Sequence, residues 1–433
     1  MNQRTSSSNR IDNAHFDWDP NTPISMEQNA EMNQKKQYSG DTLLNLGVND
    51  QPPTTTNDNS LWGNIVRTVS INSGTPNQKR FKKIGYVIFF VLLLVLVLSN
   101  FKPSTSISTK GGVANTLNTQ PHQNNWYLNN ERTDYVLTAV ADRDSFSFDS
   151  ASHTWKSVLL YGKLTRDKST GLYTVEWDIK GQVPLKGKLA EQKRGLELSE
   201  LKRFNGKLHA FDDRTGIVYE LIPKDHSLVA RHILSDGDGT TPKGFKCEWA
   251  TVKDNKLYVG SIGKEWTTGD GVIIGKDPMW VKTIDTNGRV EHIDWVKNYE
   301  ALRDAVGANY PGYMVHEAAE WNDFHKRWFF LPRRVSTQKY DENEDVKRGS
   351  NYILSASEDF LHITYKTVGV ITPTRGFSSF KFIPGRPNEI IAVKSEEIGE
   401  EMQSFVTVFN LDGKVLMEET RIAGEKIEGI EIQ

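Results

Sequence analysis

A chain of 433 residues with a formal net charge of −2 has room for one large domain beside unstructured segments, and its near-balanced charge gives no electrostatic reason to bind nucleic acid. The single cysteine, Cys247, excludes an intrachain disulfide framework and a thiolate zinc cluster. Hydrophobic residues make up only 37%, so part of the chain builds no core.

Residues 1–78 are rich in Asn, Ser, Thr, Gln and Asp, lack sustained periodicity, and are expected to form a disordered cytosolic tail. Lys79-Arg80-Phe81-Lys82-Lys83 then leads into Ile84–Leu98, an apolar run with no polar face. Extended through Phe101, the run gives about 27 Å of helix at ~1.5 Å per residue. That length suits a thin ER or Golgi bilayer better than a thick plasma membrane. A buried core helix would need apolar neighbours on every side. Four cations precede the run and only Lys102 follows closely, which puts the N-terminus in the cytosol. The run also lies too deep for an ordinary signal peptide. Residues 79–101 are therefore expected to be a type II transmembrane signal-anchor with a basic flank. Residues 102–124 would be a stem, and 125–433 a folded domain in the ER or Golgi lumen or at the cell surface. Cleavage of the stem to release a soluble form is left open.

The folded part carries many short β-type runs between Gly, Asp, Asn and Pro turns, and its clearest helical stretch is Asp294–Val306. Self-comparison finds four related segments. They are Glu197-Leu-Ser-Glu-Leu before Lys207-Leu-His-Ala-Phe, Cys247-Glu-Trp before Lys256-Leu-Tyr-Val-Gly, His316-Glu-Ala before Arg327-Trp-Phe-Phe, and Phe377-Ser-Ser before Glu389-Ile-Ile-Ala-Val. Each pairs a strand bearing Ser or Glu with a second, strongly apolar strand. A fifth opening strand, Ile427-Glu-Gly-Ile-Glu-Ile, ends the chain, and its missing partner is Asp134-Tyr-Val-Leu-Thr-Ala-Val-Ala. The openings recur every 49 to 69 residues, the size of four-stranded blades. An all-β, five-bladed β-propeller closed by its own N-terminal strand follows, although spacing alone does not separate five blades from four or six.

If each opening strand is innermost, Ser199, Glu248, Glu317, Ser378 and Glu428 face the central channel. Hard oxygen donors without Cys or His select Ca2+, which takes about 6–8 oxygens. The plainer alternative is that these residues merely line a wet channel, but their equivalence across repeats favours a metal. Charged clusters follow the second strands: Asp142-Arg-Asp144, Asp212-Asp-Arg214, Lys264-Glu265, Arg333-Arg334 and Lys394-Ser-Glu-Glu397. They would rim one mouth, where Arg and Lys can hold phosphates and Asp can position or deprotonate water. No Gly-X-Ser-X-Gly, phosphate-loop or His-Glu-X-X-His motif is present. Ser235-Asp-Gly-Asp-Gly239 lacks the closing Glu of a calcium loop and is expected to be a tight turn. Cys247 is expected to be a small buried residue.

At Ala141-Asp-Arg-Asp144, Phe211-Asp-Asp-Arg-Thr-Gly216, Gly263-Lys-Glu-Trp-Thr-Thr268, Arg327-Trp-Phe-Phe-Leu-Pro-Arg-Arg334, Gly376-Phe-Ser-Ser-Phe380 and Glu428-Gly-Ile-Glu431 the chain resembles the calcium-activated nucleotidase (soluble apyrase) family. That family includes salivary apyrases of blood feeders and a Golgi nucleoside diphosphatase. The resemblance implies a five-bladed propeller with one axial calcium on Ser199, Glu248, Glu317, Ser378 and Glu428, and catalytic aspartates at Asp142 and Asp213. Arg143, and Thr374-Arg375 before Gly376, depart from the family pattern and bear on substrate preference. The expected activity is calcium-dependent hydrolysis of nucleoside di- and triphosphates such as UDP, GDP, ADP and ATP. Arg214, Lys264 and Lys394 would contact phosphates. Trp266 would stack on the base, or else pack its blade. A homodimer is compatible with the sequence. Two other readings are a calcium-dependent esterase or lactonase propeller, and a non-catalytic calcium-stabilised binding module.

Overall fold

The computed structural model describes residues 132–398, 401–422 and 424–433. The expected tail, apolar anchor and stem lie outside them. Among the described residues, no helix is long and apolar enough to cross a membrane.

Strands follow one another with short turns. The first group is β1 (Asp134–Ala141), β2 (Phe148–Asp149), β3 (Thr154–Arg166), β4 (Tyr173–Trp177) and β5 (Val183–Gly187). The second is β6 (Leu198–Phe204), β7 (Lys207–Asp212), β8 (Ile217–Leu221) and β9 (Leu228–Ile233). Next come β10 (Trp249–Lys253), β11 (Lys256–Gly260), a small ribbon of β12 (Trp266–Thr267) and β13 (Ile273–Gly275), then β14 (Trp280–Ile284) and β15 (Val290–Asp294). Helix α1 (Val296–Ala305) leads to β16 (Tyr313–Asn322), β17 (Arg327–Ser336), the one-turn α2 (Glu342–Asp345), β18 (Tyr352–Ser357) and β19 (Ile363–Thr367). The chain ends with β20 (Arg375–Ile383), β21 (Arg386–Ile398), β22 (Glu401–Asn410), β23 (Val415–Ile422) and β24 (Ile427–Ile432).

Four sheets are simple antiparallel meanders: β6-β7-β8-β9, β10-β11-β14-β15, β16-β17-β18-β19 and β20-β21-β22-β23. The fifth is built from both ends of the folded part. There β24 pairs with β1 (Leu137↔Ile432, Val140↔Gly429) and β1 with β3, whose outer edge holds β2, β4 and β5. The inner strands β24, β6, β10, β16 and β20 contact one another in that order and back to β24. The ring therefore has five blades, as the repeat predicts, and its closure leaves no inner edge open.

Local chemistry explains the hairpins. Asn205-Gly206 and Asp254-Asn255 each supply two positive φ angles (49° and 76°, 49° and 57°) between directly paired strand ends. That is the turn whose twist matches antiparallel strands. The apolar residues then bury between blades, in clusters that each join two neighbouring sheets. Leu137 and Ile430 meet Ile391 and Val406, Val140 and Leu159 meet Leu201 and Tyr219, and Phe211 and Val218 meet Ala250 and Val259. Trp249 and Val281 meet Trp328 and Phe330, and Phe329 and Leu331 meet Phe377 and Phe380. At Gly429 the inner strand β24 passes close to the backbone of β6. A Cβ there would lie 2.7 Å from backbone atoms of Glu200, so only glycine lets β24 seat against β6.

One level of the channel is plugged by a neutralised polar network. Lys381 Nζ sits 2.9 Å from Glu200 Oε2 and 3.3 Å from Glu320 Oε1, and Lys202 Nζ is 2.6 Å from Glu320 Oε1. Thr251 Oγ1 donates to Glu320 Oε2 and Ser379 Oγ to Glu200. Burial raises the Glu200 carboxyl to about 7, against the pull of Lys381. Lys381→Met strands Glu200 without its ammonium, and breaking such a buried pair costs ~3–5 kcal/mol. Chemical denaturation should read a loss of that size, whereas a channel full of water at this level would reduce it below ~1 kcal/mol.

Candidate functional site

Four of the five sequence-derived axial residues share a backbone feature that no periodicity shows. In β6, β16, β20 and β24 the ladder slips by one residue where the axial residue stands. Leu198↔Asp212 is followed by Glu200↔Phe211, leaving Ser199 extra, and Phe377↔Lys394 by Ser379↔Val393, leaving Ser378 extra. Ile427↔Ala141 and Gly429↔Val140 leave out Glu428. His316↔Pro332 and Ala319↔Phe330 set Glu317 and Ala318 against Leu331 alone. Glu248 stands just before β10, and its N–H bonds the Gly260 carbonyl, the residue that Trp249 also faces. A β-bulge twists its strand and re-aims the extra side chain out of the ordinary alternation.

The re-aimed side chains converge. Ser199 Oγ donates to Glu428 Oε2 at 3.2 Å. Arg333 Nη1 reaches Glu317 Oε2 at 2.5 Å and Glu428 Oε1 at 3.2 Å, joining blades that are not neighbours in the ring. Ser378 Oγ donates to the Ile427 carbonyl at 3.2 Å, beside Glu428. Glu248 and Glu317 repel each other, and burial together with that repulsion pushes the Glu248 carboxyl up to about 8 despite Lys246. Glu428 is raised by burial and by Glu317 and Asp142, against the pull of Lys426 and Arg333.

Three cations hold these acids together: Arg333, which the sequence reading placed in a rim cluster, and Lys246 and Lys426, which it did not assign to the site. Lys246 Nζ bridges Asp213 and Glu248 Oε1 (2.6 Å). Lys426 Nζ is ringed by Asp142 Oδ2 (2.8 Å), Asp144 Oδ2 (3.0 Å), Glu397 Oε1 (3.1 Å) and Glu428 Oε1 (3.2 Å). Arg333 also reaches Ser395 Oγ (2.6 Å) and Glu397 Oε1 (2.8 Å). Arg333 comes this close because position 376 is glycine: a Cβ there would lie 2.4 Å from Arg333 Cγ. A signal for two of the three was in the repeat. Lys246 and Lys426 each stand two residues before an axial acid, Glu248 and Glu428, in the segments that lead into β10 and β24.

The rim aspartates are placed by turns. Asp212 spends its carboxylate on the backbone, accepting from Leu196, Arg214 and Thr215 N–H, so Asp213 is the one left to face the channel. Asp213 Oδ2 is held by Lys246, and its Oδ1 is buried without a hydrogen-bond partner. Asp142 Oδ1 accepts from the Asp144 N–H and its Oδ2 from Lys426. Burial and Asp142 raise the Asp213 carboxyl against Lys246. Asp142 goes the other way: burial raises it, but Lys426 and the Asp144 N–H bring it below the ordinary value. Oxygens of Asp142, Asp144 and Glu197 lie within 4.8 Å of one another, with Arg194 bound to both Asp144 (2.9 Å) and Glu197.

The residues expected to bind substrate are more scattered. Arg214 is half-buried beside the Asp213 turn and donates to Gln192 (3.2 Å). Lys264 donates to the Glu265 carbonyl and Thr267 Oγ1, lies 4.1 Å from the Tyr340 ring centre, and is lowered by burial to about 8. Trp266 Nε1 bonds Asp236 Oδ2 (2.9 Å), with Lys243 over its ring. That bond and the Gly239 N–H to Asp236 carbonyl contact make residues 235–239 a turn. Lys394 pairs with Glu419 (2.6 Å) in a cavity of about 240 Å³ between the last two meanders, away from the axial carboxylates. The Arg333-Arg334 and Lys394–Glu397 clusters lie within β17 and β21 and not past them, because those strands stay paired for longer. Cys247 is buried, as expected.

The apyrase family profile matches residues 141–433. The rat protein described as soluble calcium-activated nucleotidase 1 is 49% identical over 298 residues, 69% of this chain and 73% of that protein. The apyrase of Cimex lectularius is 46% identical over 292 residues, 67% of this chain and 79% of its own. Apyrase apy-1 of Caenorhabditis elegans is 40% identical over 301 residues, 69% and 84% respectively. The profile spans the axial acids and both rim aspartates, and the chain belongs to the apyrase family of nucleotide-phosphate hydrolases.

Proposed function

We propose that this chain hydrolyses the terminal phosphoanhydride of nucleoside di- and triphosphates in a calcium-dependent reaction at the mouth of the propeller channel. The observation that carries the reading is the network that links Ser199, Glu317 and Glu428 to one another and through Arg333, with bulges at four of the five positions Ser199, Glu248, Glu317, Ser378 and Glu428, and with Asp142 and Asp213 tied in by Lys426 and Lys246. The donor set fits calcium: all its atoms are oxygens, and buried carboxylates crowd together there at an electrostatic cost that a divalent cation relieves. Calcium held by those residues would supply fixed positive charge beside the transferring phosphoryl group.

The protein groups divide the remaining work. The attacking water donates to Asp213 Oδ1, the buried oxygen with no other partner. The raised affinity of Asp213 for a proton makes it the better base, and Asp142 stays ionised to orient the water, an assignment that follows from two carboxylates whose environments push them apart. Water attacks the terminal phosphorus, the anhydride P–O bond breaks, and the products are orthophosphate and the shortened nucleotide. Arg214 is proposed for the phosphates at the rim. Lys264 and Trp266, near each other on the β11–β13 side, are proposed for the nucleoside end. Lys394 could reach phosphate only by leaving Glu419. Proposed likewise, on sequence grounds, are the tail 1–78, the type II anchor 79–101 and the stem 102–124, which would hold the domain in the ER or Golgi lumen or at the cell surface. A homodimer remains a proposal of the same kind.

Phosphate release from UDP, GDP, ADP and AMP tests the reading. Calcium should support turnover of the diphosphates and leave AMP, which has no anhydride, intact. Magnesium with calcium chelated should not restore turnover, because it demands a tight octahedron at ~2.0–2.1 Å. Full activity in magnesium would remove the calcium assignment. In a separate measurement, Glu428→Gln should shrink the calcium-induced rise in melting temperature, since a weaker ligand set binds the folded state less tightly. Coincident wild-type and variant curves, with and without calcium, would show that Glu428 is no ligand. Asp213→Asn should lower kcat ~10²-fold or more, the scale of a lost general base, while the calcium-induced melting shift persists. A near-normal kcat would leave Asp142 as the only base.

A further inference from the structure

Each axial carboxylate is already in contact with a protein cation. Glu248 is held by Lys246, Glu317 by Arg333, and Glu428 by both Arg333 and Lys426. The same cations reach outward to the rim: Lys246 to Asp213, Lys426 to Asp142 and Asp144, and both Lys426 and Arg333 to Glu397. Among the described residues, every partner of these three side chains apart from Ser395 Oγ on Arg333 is an acid of the axial set or the rim. Arg333 and Lys426 are 5% and 7% exposed, so water does not compensate them.

A divalent cation at the axis would need the oxygens that now face these ammonium and guanidinium groups. Positive charges a few ångströms apart in a partly dry channel repel strongly. Calcium and the three side chains cannot therefore keep the same carboxylate oxygens. The three groups sit on long side chains that already contact the rim acids, so a displaced group has rim partners within its reach. What they would meet there is the substrate's phosphates. Arg offers these a two-pronged donor and Lys a point charge.

We infer that Lys246, Arg333 and Lys426 bind the substrate's phosphates alongside Arg214, stored as internal counter-ions of the axial acids until calcium replaces them. The inference rests on the proposed axial calcium. Its consequence is that calcium and the nucleotide's phosphate chain bind cooperatively, each tightening the other by the same factor. It further requires that removing a stored cation, and with it calcium's competitor, strengthens calcium binding while weakening nucleotide binding. A permanent structural counter-ion would not behave in this way.

The test is calorimetric titration of the full chain with calcium and with methylene-bridged ADP, each alone and in the presence of the other. In the wild type, calcium should tighten the analogue ~10-fold or more, and the analogue should tighten calcium equally. Lys246→Met and Lys426→Met should each bind calcium more tightly than wild type and bind the analogue in calcium ~10-fold more weakly, with the mutual enhancement reduced. Lys246→Arg and Lys426→Arg keep the charge, should fold without difficulty, and should retain most of the analogue affinity. The inference is overturned if either methionine variant binds the analogue in calcium like wild type, or binds calcium no more tightly. Glu428→Gln separates the two readings. If that variant binds calcium like wild type, the axial site itself is wrong. If it loses calcium while the lysine variants bind both ligands like wild type, the site stands and the release of its counter-ions does not.

Discussion

Like charges forced together inside a buried channel are the constraint on which the rest of this protein depends. Glu248, Glu317 and Glu428 come from three different blades, yet Arg333 touches two of them with one nitrogen and the third feels Glu317 directly. A strand of regular alternation would send some of these side chains into the interblade cores. In four of the five inner strands a bulge prevents this by adding one residue where the strand passes the axis. Gly429 and Gly376 remove the side chains that would hold β24 off β6 and Arg333 off its strand neighbour.

The two levels of the channel use similar residues to opposite ends. At the plug, Glu200 and Glu320 are matched by Lys381 and Lys202, and Thr251 and Ser379 fill remaining acceptor positions. Charges there are matched locally, so this level can fix the spacing of the inner strands. One level up, Asp142, Asp144, Asp213, Glu197, Glu248, Glu317, Glu397 and Glu428 share Lys246, Arg333, Lys426 and Arg194. That imbalance is unfavourable for folding alone. It is the arrangement expected of a site that gains its missing charge from a ligand.

Closure of the ring is also part of the site. β1 and β24 come from opposite ends of the folded part, and the Asp142 N–H donates to the Lys426 carbonyl at 3.0 Å just beyond their paired stretch. Asp142, Lys426 and Glu428 therefore depend on the same strand pair. Anything that frays the closing strand pulls these groups apart before it unfolds another blade.

Much of this was legible in the sequence. Repeated strand pairs, the turn residues between them and the unpaired strand at each end pointed to a propeller of about five blades and to its closure, because hairpin pairing is local and its side-chain period is two. The same alignment picked out Ser199, Glu317 and Glu428, which the structure brings into one network, and the motifs around Asp142 and Asp213 pointed to the family. Only the tertiary structure decided which charges face one another. In β21, Lys394 turns to Phe377 and Glu419 while its neighbour Ser395 turns to Arg333, so a charged run read as one cluster serves two opposite faces. Lys246 and Lys426 carry little signal of their own, since a long cationic side chain goes where the summed field of acids from other blades draws it. That field comes from residues distant in sequence, such as Asp142 acting on Lys426, and it exists only once the ring has closed.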